Sequence, residues 1–160
     1  MFQSASVATF FDYVAALPRA GGLPRYDSFD LMAQYQSAPY IVVLDVLRNP
    51  DQFRVRFSGT KVVEMFDHET TGQVMDDVDT GAWKFKLIDV YHQATRDRLP
   101  QWTIADVVLD TPRTKRLFSY ERLIIPLAED DHQILHVAAL IQRHEYGTAK
   151  GGFDHKSLSI

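Results

Sequence analysis

Near the start of the chain apolar residues recur at helical spacing, so that Val7, Phe10, Phe11, Val14 and Leu17 share one face of a helix predicted over residues 4–17, with Ser4 or Ser6 as its N-cap. The stretch PRAGGLPRYDS ends it, because its prolines and glycines neither continue a helix nor enter a central strand. A short helical segment is predicted over residues 29–35, capped by Asp27 or Ser28 and closed by Pro39. The pattern then changes. YIVVLDVL, residues 40–47, reads as a strand, RNPDQ as a tight turn, and residues 53–58 as a strand pairing back antiparallel, with Phe53, Val55 and Phe57 alternating against Arg54 and Arg56. Alternation breaks at Ser58-Gly59-Thr60, and residues 61–66 allow barely two turns of helix before a polar elbow and Gly72. A longer helix is predicted over residues 81–96, halted before Pro100. Strand patterns follow at 102–109, 118–127 and 133–141, joined by DTPRTKR and AEDDH. The last stretch, YGTAKGGFDHKSLSI, has lost all periodicity and is expected to be mobile.

Counting alternate residues places Val42, Leu44, Phe57, Leu123, Ile125, Val137 and Ala139 on one face of the sheet and Ile41, Val43, Ile124, Ala138 and Leu140 on the other. Both faces are too apolar for water, so each needs a cover. The N-terminal helix has the matching stripe. It is expected to lie on the second face, from the same chain or from a second subunit across a PRAGGLP hinge, and a homodimer is the expected assembly.

Composition narrows the function classes. The 160 residues, 46 % hydrophobic, suit one globular domain. A net charge of −4 lacks the basic excess of a nucleic-acid binder. Cysteine is absent, which excludes disulfides, thiolate metal sites and a cysteinyl photoadduct, although not non-covalent flavin. No stretch reaches the roughly 18 apolar residues of a membrane span, and the first residues lack a signal-peptide pattern, so no membrane insertion and a cytoplasmic location are expected.

The element order β-β-α-α-α-β-β-β, with the stretches LPRYDSFDLMAQYQSAPYIVVLDVL, FRVRFSGTKVVEMFDHETTG, VYHQATRDRLP and YERLIIPLAED, resembles the single-domain PAS-like proteins of the alphaproteobacterial PAS family. The resemblance runs from about residue 23 to residue 141, and Gly59-Thr60, Thr71-Gly72, Glu121-Arg122-Leu123 and Pro126-Leu127 are its most specific pieces. A proline expected near Phe29-Asp30 is absent. The resemblance implies an α+β fold: a five-stranded antiparallel sheet, a helical wall on one face, and the N-terminal amphipathic helix. It divides the chain into a helix and hinge at 1–22, a PAS-like domain at 23–143 and a flexible tail at 144–160. In such a fold the second strand leaves the sheet at once to build the wall over a small cavity. Gly59 is expected to permit that exit with a positive φ, Thr60 to cap the short helix, and Gly72 to supply a second positive φ.

Candidate ligand-binding residues beneath the wall are Phe57, Phe66, Tyr91, Trp102, Glu121 and Leu123. Glu121 shares a strand face with Leu123, Ile125 and Leu127; it either points into the cavity, where a carboxylate needs a partner, or pairs at the rim with an arginine. His92 lies where some sensory PAS domains carry a haem ligand, but it points roughly 140° from the centre of the face made by Trp83, Leu87, Val90, Tyr91 and Ala94, and is expected to face water. DDVD, residues 76–79, reads as a solvated loop ahead of the long helix. No motif of nucleophilic catalysis and no metal-ligand spacing appears, and no cofactor is named. The expected function is a non-enzymatic sensory or regulatory module that takes an unidentified small molecule, a regulatory protein partner, or both, with no output domain of its own. The alternatives are a small cone-shaped α+β enzyme using an acid-base pair in the cavity, and a ligand-free adaptor.

Overall fold

The structure, a computed structural model, describes residues 2–48, 51–75, 84–112, 114–149 and 152–160. Helix α1 (Ala5–Ala15) leads into a two-residue hairpin, β1 (Arg19–Ala20) and β2 (Leu23–Pro24). Strands β3 (Ile41–Leu47) and β4 (Gln52–Ser58) follow, then helices α2 (Thr60–Phe66) and α3 (Lys84–Asp97), then strands β5 (Gln101–Thr111), β6 (Thr114–Ala128), β7 (Ile134–His144) and β8 (Phe153–Ser157). The main sheet has the order β4-β3-β7-β6-β5-β8 with every neighbouring pair antiparallel. The fold is therefore α+β. No helix among the described residues is long and apolar enough to cross a membrane.

The sheet has six strands rather than the expected five. The sixth comes from the segment without periodicity: FDHKS pairs along β5, from Phe153 opposite Ala105 to Ser157 opposite Gln101, and the Leu158 amide donates to the Pro100 carbonyl at 2.9 Å. Leu158 and Ala149 are buried. An edge strand is held by main-chain pairing and needs no apolar alternation, which is why its sequence reads as coil.

Two cores flank the sheet. On one side Val42, Leu44, Val46, Phe53, Val55, Tyr120, Ile124, Val137 and Ala139 pack against Val62 and Met65 of α2 and Val90, Tyr91 and Ala94 of α3. On the other, Ile41, Val43, Leu123, Ile125, Ala138 and Leu140 pack against Val7, Phe10 and Val14 of α1. The second face is thus covered within the chain. The faces of β3 and β7 are as expected, but β6 is out of phase: Leu123 and Ile125 face α1, and Ile124 faces the wall. Register imposes this, since Leu123 lies opposite Leu140 and Ile125 opposite Ala138, and directly opposed residues share a face. Phe57 also changes sides. A bulge lets Val43 pair with Phe57 and Leu44 with Val55, leaving Arg56 as the extra residue, so Phe57 joins the α1 side.

Local chemistry departs from expectation at three more places. Ser4 caps α1, its side chain accepting from the Val7 amide, as the sequence suggests. Residues 31–37, by contrast, form successive turns closed by Gln34 N to Leu31 O at 3.1 Å and Ser37 N to Gln34 O at 2.9 Å rather than a helix. Asp30, not Asp27 or Ser28, organises them by accepting the Met32 amide at 2.8 Å. At the exit from β4, Gly59 is itself the N-cap of α2 with φ −66°, and Thr60 is the first helical residue. The glycine is required for another reason: a Cβ there would lie 2.3 Å from the Pro39 carbonyl oxygen and 2.4 Å from that of Ala38. Gly72 does take a positive φ, +86°. DDVD, Gly81 and Trp83 lie outside the described residues. The PRAGGLP segment is a hairpin whose turn is tied down, because Arg98 Nη2 donates to the Gly21 carbonyl at 3.2 Å and the Gly21 amide to Asp131 at 2.9 Å.

Candidate functional site

Strand β6 carries two adjacent charged residues into opposite cores, and the site is built around them. Alternation along Tyr120-Glu121-Arg122-Leu123 sends Glu121 to the α1 side and Arg122 to the wall side. Because both faces are covered, both charges are interior: Glu121 is fully buried and Arg122 is 2 % exposed.

Glu121 is saturated with donors. Its carboxylate accepts from the Gln3 amide at 2.7 Å, the Ser4 amide at 2.9 Å, the Ser4 hydroxyl at 2.8 Å and Trp102 Nε1 at 2.7 Å. His144 Nε2 lies 3.1 Å away. A carboxylate at the N-terminus of a helix meets free amides and the positive end of the helix dipole, so the arrangement ties the start of α1 to the middle of the sheet. The Glu121–His144 pair is the closest approach to an acid-base couple on this face. Both carboxylate oxygens are engaged by structural donors and neither reaches solvent, so proton transfer to a substrate would first require α1 to leave.

On the wall side the Arg122 guanidinium lies between two aromatic rings, 4.9 Å from the centroid of Tyr91 and 5.6 Å from that of Tyr120. Ring faces attract the cation, yet Nε and Nη2 of Arg122, the Tyr120 hydroxyl and Thr103 Oγ1 are all buried without a hydrogen-bond partner. Thr103 is opposite Arg122 on β5, and His155 is opposite Thr103 on β8, so these groups form one cross-strand row. Burial pushes the Tyr120 hydroxyl above its ordinary pKa. Burial, with Arg122 nearby, pulls His155 below its own, and His155 Nε2 lies 2.7 Å from Gln101 Oε1.

A third polar cluster closes the lower end of the α1 side. Asp45 accepts from Arg54 at 2.9 Å and Arg56 at 2.6 Å, and His136 Nδ1 lies 3.2 Å away, close enough for an ion pair only when protonated and not aligned for a hydrogen bond. Tyr26 stacks on His136 with centroids 3.5 Å apart. Burial opposes ionisation of Asp45, but the two arginines outweigh it and hold the carboxyl below its usual range. His136 is pulled below its ordinary pKa, chiefly by burial. At the far end of α3 a surface cleft of about 570 Å³ is lined by Arg48, Asp51, His92, Arg96, Arg98 and His132 with three other side chains. His92 is half-buried there, edge-on to Phe53 at 5.0 Å, rather than free in water. No group of three or more His, Asp or Glu among the described residues is placed to hold a metal ion.

The six residues expected to line one cavity are not brought together. Phe66 and Tyr91 are on the wall side, with Phe66 5.8 Å from Tyr120 and Tyr91 5.6 Å from Phe53. Phe57, Trp102, Glu121 and Leu123 are on the α1 side. Glu121 meets main-chain amides, a hydroxyl, an indole and a histidine there, not an arginine. Arg122, Tyr120 and Thr103 are missed by the sequence reading, as are the Ser4 and His144 partners of Glu121. The signal for Arg122 was present: once both faces are known to be covered, a charged residue next to Glu121 has to be interior as well.

A scan against models of protein families finds none that matches the chain, and a search of curated proteins finds no match.

Proposed function

We propose that the chain is a PAS-like sensory or regulatory module, in which a small ligand beneath the helical wall, a protein partner, or both bias the hold of α1 on the sheet. The observation that carries this reading is the attachment of α1. The helix buries Val7, Phe10 and Val14 completely, and its start is tied mainly to Glu121, with the Ser6 hydroxyl also donating to Gln142 at 3.1 Å. Three such side chains are worth about 5–9 kcal/mol of burial, so the helix is held in the resting state and is still removable as a unit. The helices inserted between the second and third strands of the main sheet also support the PAS-like reading, as does the exit of β4 straight into α2. The signal passes along β6, where Arg122 on one face and Glu121 on the other are consecutive residues. A shift of the strand at one moves the other. Released α1 would expose Ile41, Val43, Leu123, Ile125, Ala138 and Leu140, an apolar face suited to a regulatory protein or to the same face of a second copy.

The test is hydrogen exchange on Glu121→Gln. The neutral amide keeps the shape but turns an NH2 group toward donors. The expected result is exchange in α1 accelerated by about 10–100-fold, as removal of a buried charged acceptor implies, with β6 and β7 still protected. Native mass spectrometry of the freshly purified parent then reads a retained small molecule or a dimer. Unchanged α1 protection, with a bare monomer in the spectrometer, would overturn the reading.

A further inference from the structure

Arg122 is almost fully buried, and among the described residues no carboxylate pairs with it. The neighbouring Glu121 does not neutralise it, since that side chain points through the opposite face and is spent on α1. The two unpartnered nitrogens, Nε and Nη2, are the donors of one side of the guanidinium fork. That edge presents two parallel N–H groups at the spacing of the two oxygens of a carboxylate. The Tyr120 and Thr103 hydroxyls, also unpartnered, supply further donors on the same face. Around them the walls are aromatic: Tyr91 and Tyr120 stack near the guanidinium, and Phe66 sits 5.8 Å from Tyr120 and 6.0 Å from Phe118.

The geometry points to a binding site for a small organic carboxylate on the wall face of the sheet, its two oxygens taken by Nε and Nη2 of Arg122 and its apolar remainder packed among Phe66, Tyr91 and Tyr120. This rests on the reading of the chain as a ligand-taking regulatory module and names the class of ligand. A carboxylate fits better than a phosphate because one buried guanidinium balances one charge; Arg143, opposite Tyr120 on the same face, lies over Phe118 and is exposed. His155, across Thr103, is kept on its neutral side by burial and by Arg122 and offers no second cation. The donors are closed off from solvent, so entry requires the wall to part, which links occupancy to a change of conformation.

The probes are benzoate and hexanoate, with benzamide as the uncharged analogue of benzoate and inorganic phosphate as the alternative anion. Each is added at up to about 10 mM, the weak end of specific binding. The readouts are the arginine Nε–H resonances in a nitrogen-resolved spectrum and the melting temperature. Either carboxylate is expected to move the Arg122 Nε–H signal and raise the melting temperature, with benzamide and phosphate doing neither. Arg122→Lys keeps the charge but lacks the two-donor edge, and should weaken the response at least tenfold; Arg122→Gln should do the same. The proposal is overturned if neither carboxylate moves the signal in the parent protein, which requires no variant to fold, or if benzamide or phosphate acts as strongly. Retention of parent-like affinity by a folded Arg122→Lys would also overturn it. The exchange measurement on Glu121→Gln uses no carboxylate, so loss of this site and loss of the α1 reading are separate results.

Discussion

Single residues here are chosen by what faces them across a strand. Gly59 illustrates this, because its backbone is ordinary and its neighbours are not: any Cβ would collide with the carbonyls of Ala38 and Pro39, which belong to rigid main chain. Gly72 is the opposite case, with φ +86° and nothing within 4 Å of a built Cβ. Gly59→Ala should therefore cost on the order of 1–3 kcal/mol, as overpacking does, and Gly59→Val at least as much. Gly72→Ala should cost about 1–2 kcal/mol from the left-handed backbone alone. Chemical denaturation of the two alanine variants checks the order, and a Gly59→Ala protein as stable as the parent would show that the Pro39 segment yields.

At the scale of elements, β8 shows how pairing overrides pattern. Its five residues close the outer edge of β5, where Gln101 Oε1 accepts from Ser157 Oγ at 2.9 Å, and Lys156 lies over the Trp102 ring at 5.8 Å. Removal of residues 150–160 would bare Gln101–Ala105, the part of β5 that β8 covers, and take Leu158 out of the α1-side core. An unpaired strand edge of five residues can recruit other chains. The truncated protein should melt several degrees lower and associate in a concentration-dependent way by light scattering, whereas a monomer with parent-like melting would mean that β8 is dispensable. Helix α1 makes a related point. Its stripe was legible from spacing, and the sheet face it covers was legible as too apolar for water. That the cover is intramolecular followed only from the hairpin β1–β2, which turns the chain back beneath the sheet and is tied to Asp131 and Arg98.

For the whole molecule, the histidines set the pH response. His136 and His155 are both held below their ordinary pKa, chiefly by burial, so the unfolded chain binds protons more readily than the folded one as pH falls past about 6.5. Their contribution is complete above that value and is lost as pH drops toward their folded pKa values. Asp45, held below the usual carboxylate range by its two arginines, adds its own loss only further into acid, below about 4. The melting temperature should accordingly decline between about pH 7.5 and 5.5, and more shallowly in His136→Gln than in the parent. A flat profile over that range would show that these side chains protonate without cost in the folded protein.

Local pattern was enough for the class of fold, the order of the main elements, the second apolar face and the stripe that covers it, because helical and strand periodicities report which residues avoid water. The segment 29–37 and β8 escaped it, since turns closed by main-chain hydrogen bonds and an edge strand held by backbone pairing carry no apolar period. The candidate site was half legible for the same reason. Glu121 stood out as a carboxylate in need of partners and Trp102 as a candidate lining residue, but which face each residue of β6 occupies depends on register with β7, and the side of Phe57 on a bulge opposite Val43 and Leu44. Those are long-range choices. Only the packed sheet decided that Glu121 holds α1 while Arg122, one residue on, is left beneath the wall with the side of its guanidinium unpaired, because a one-residue change of phase exchanges the two faces and with them the two charges.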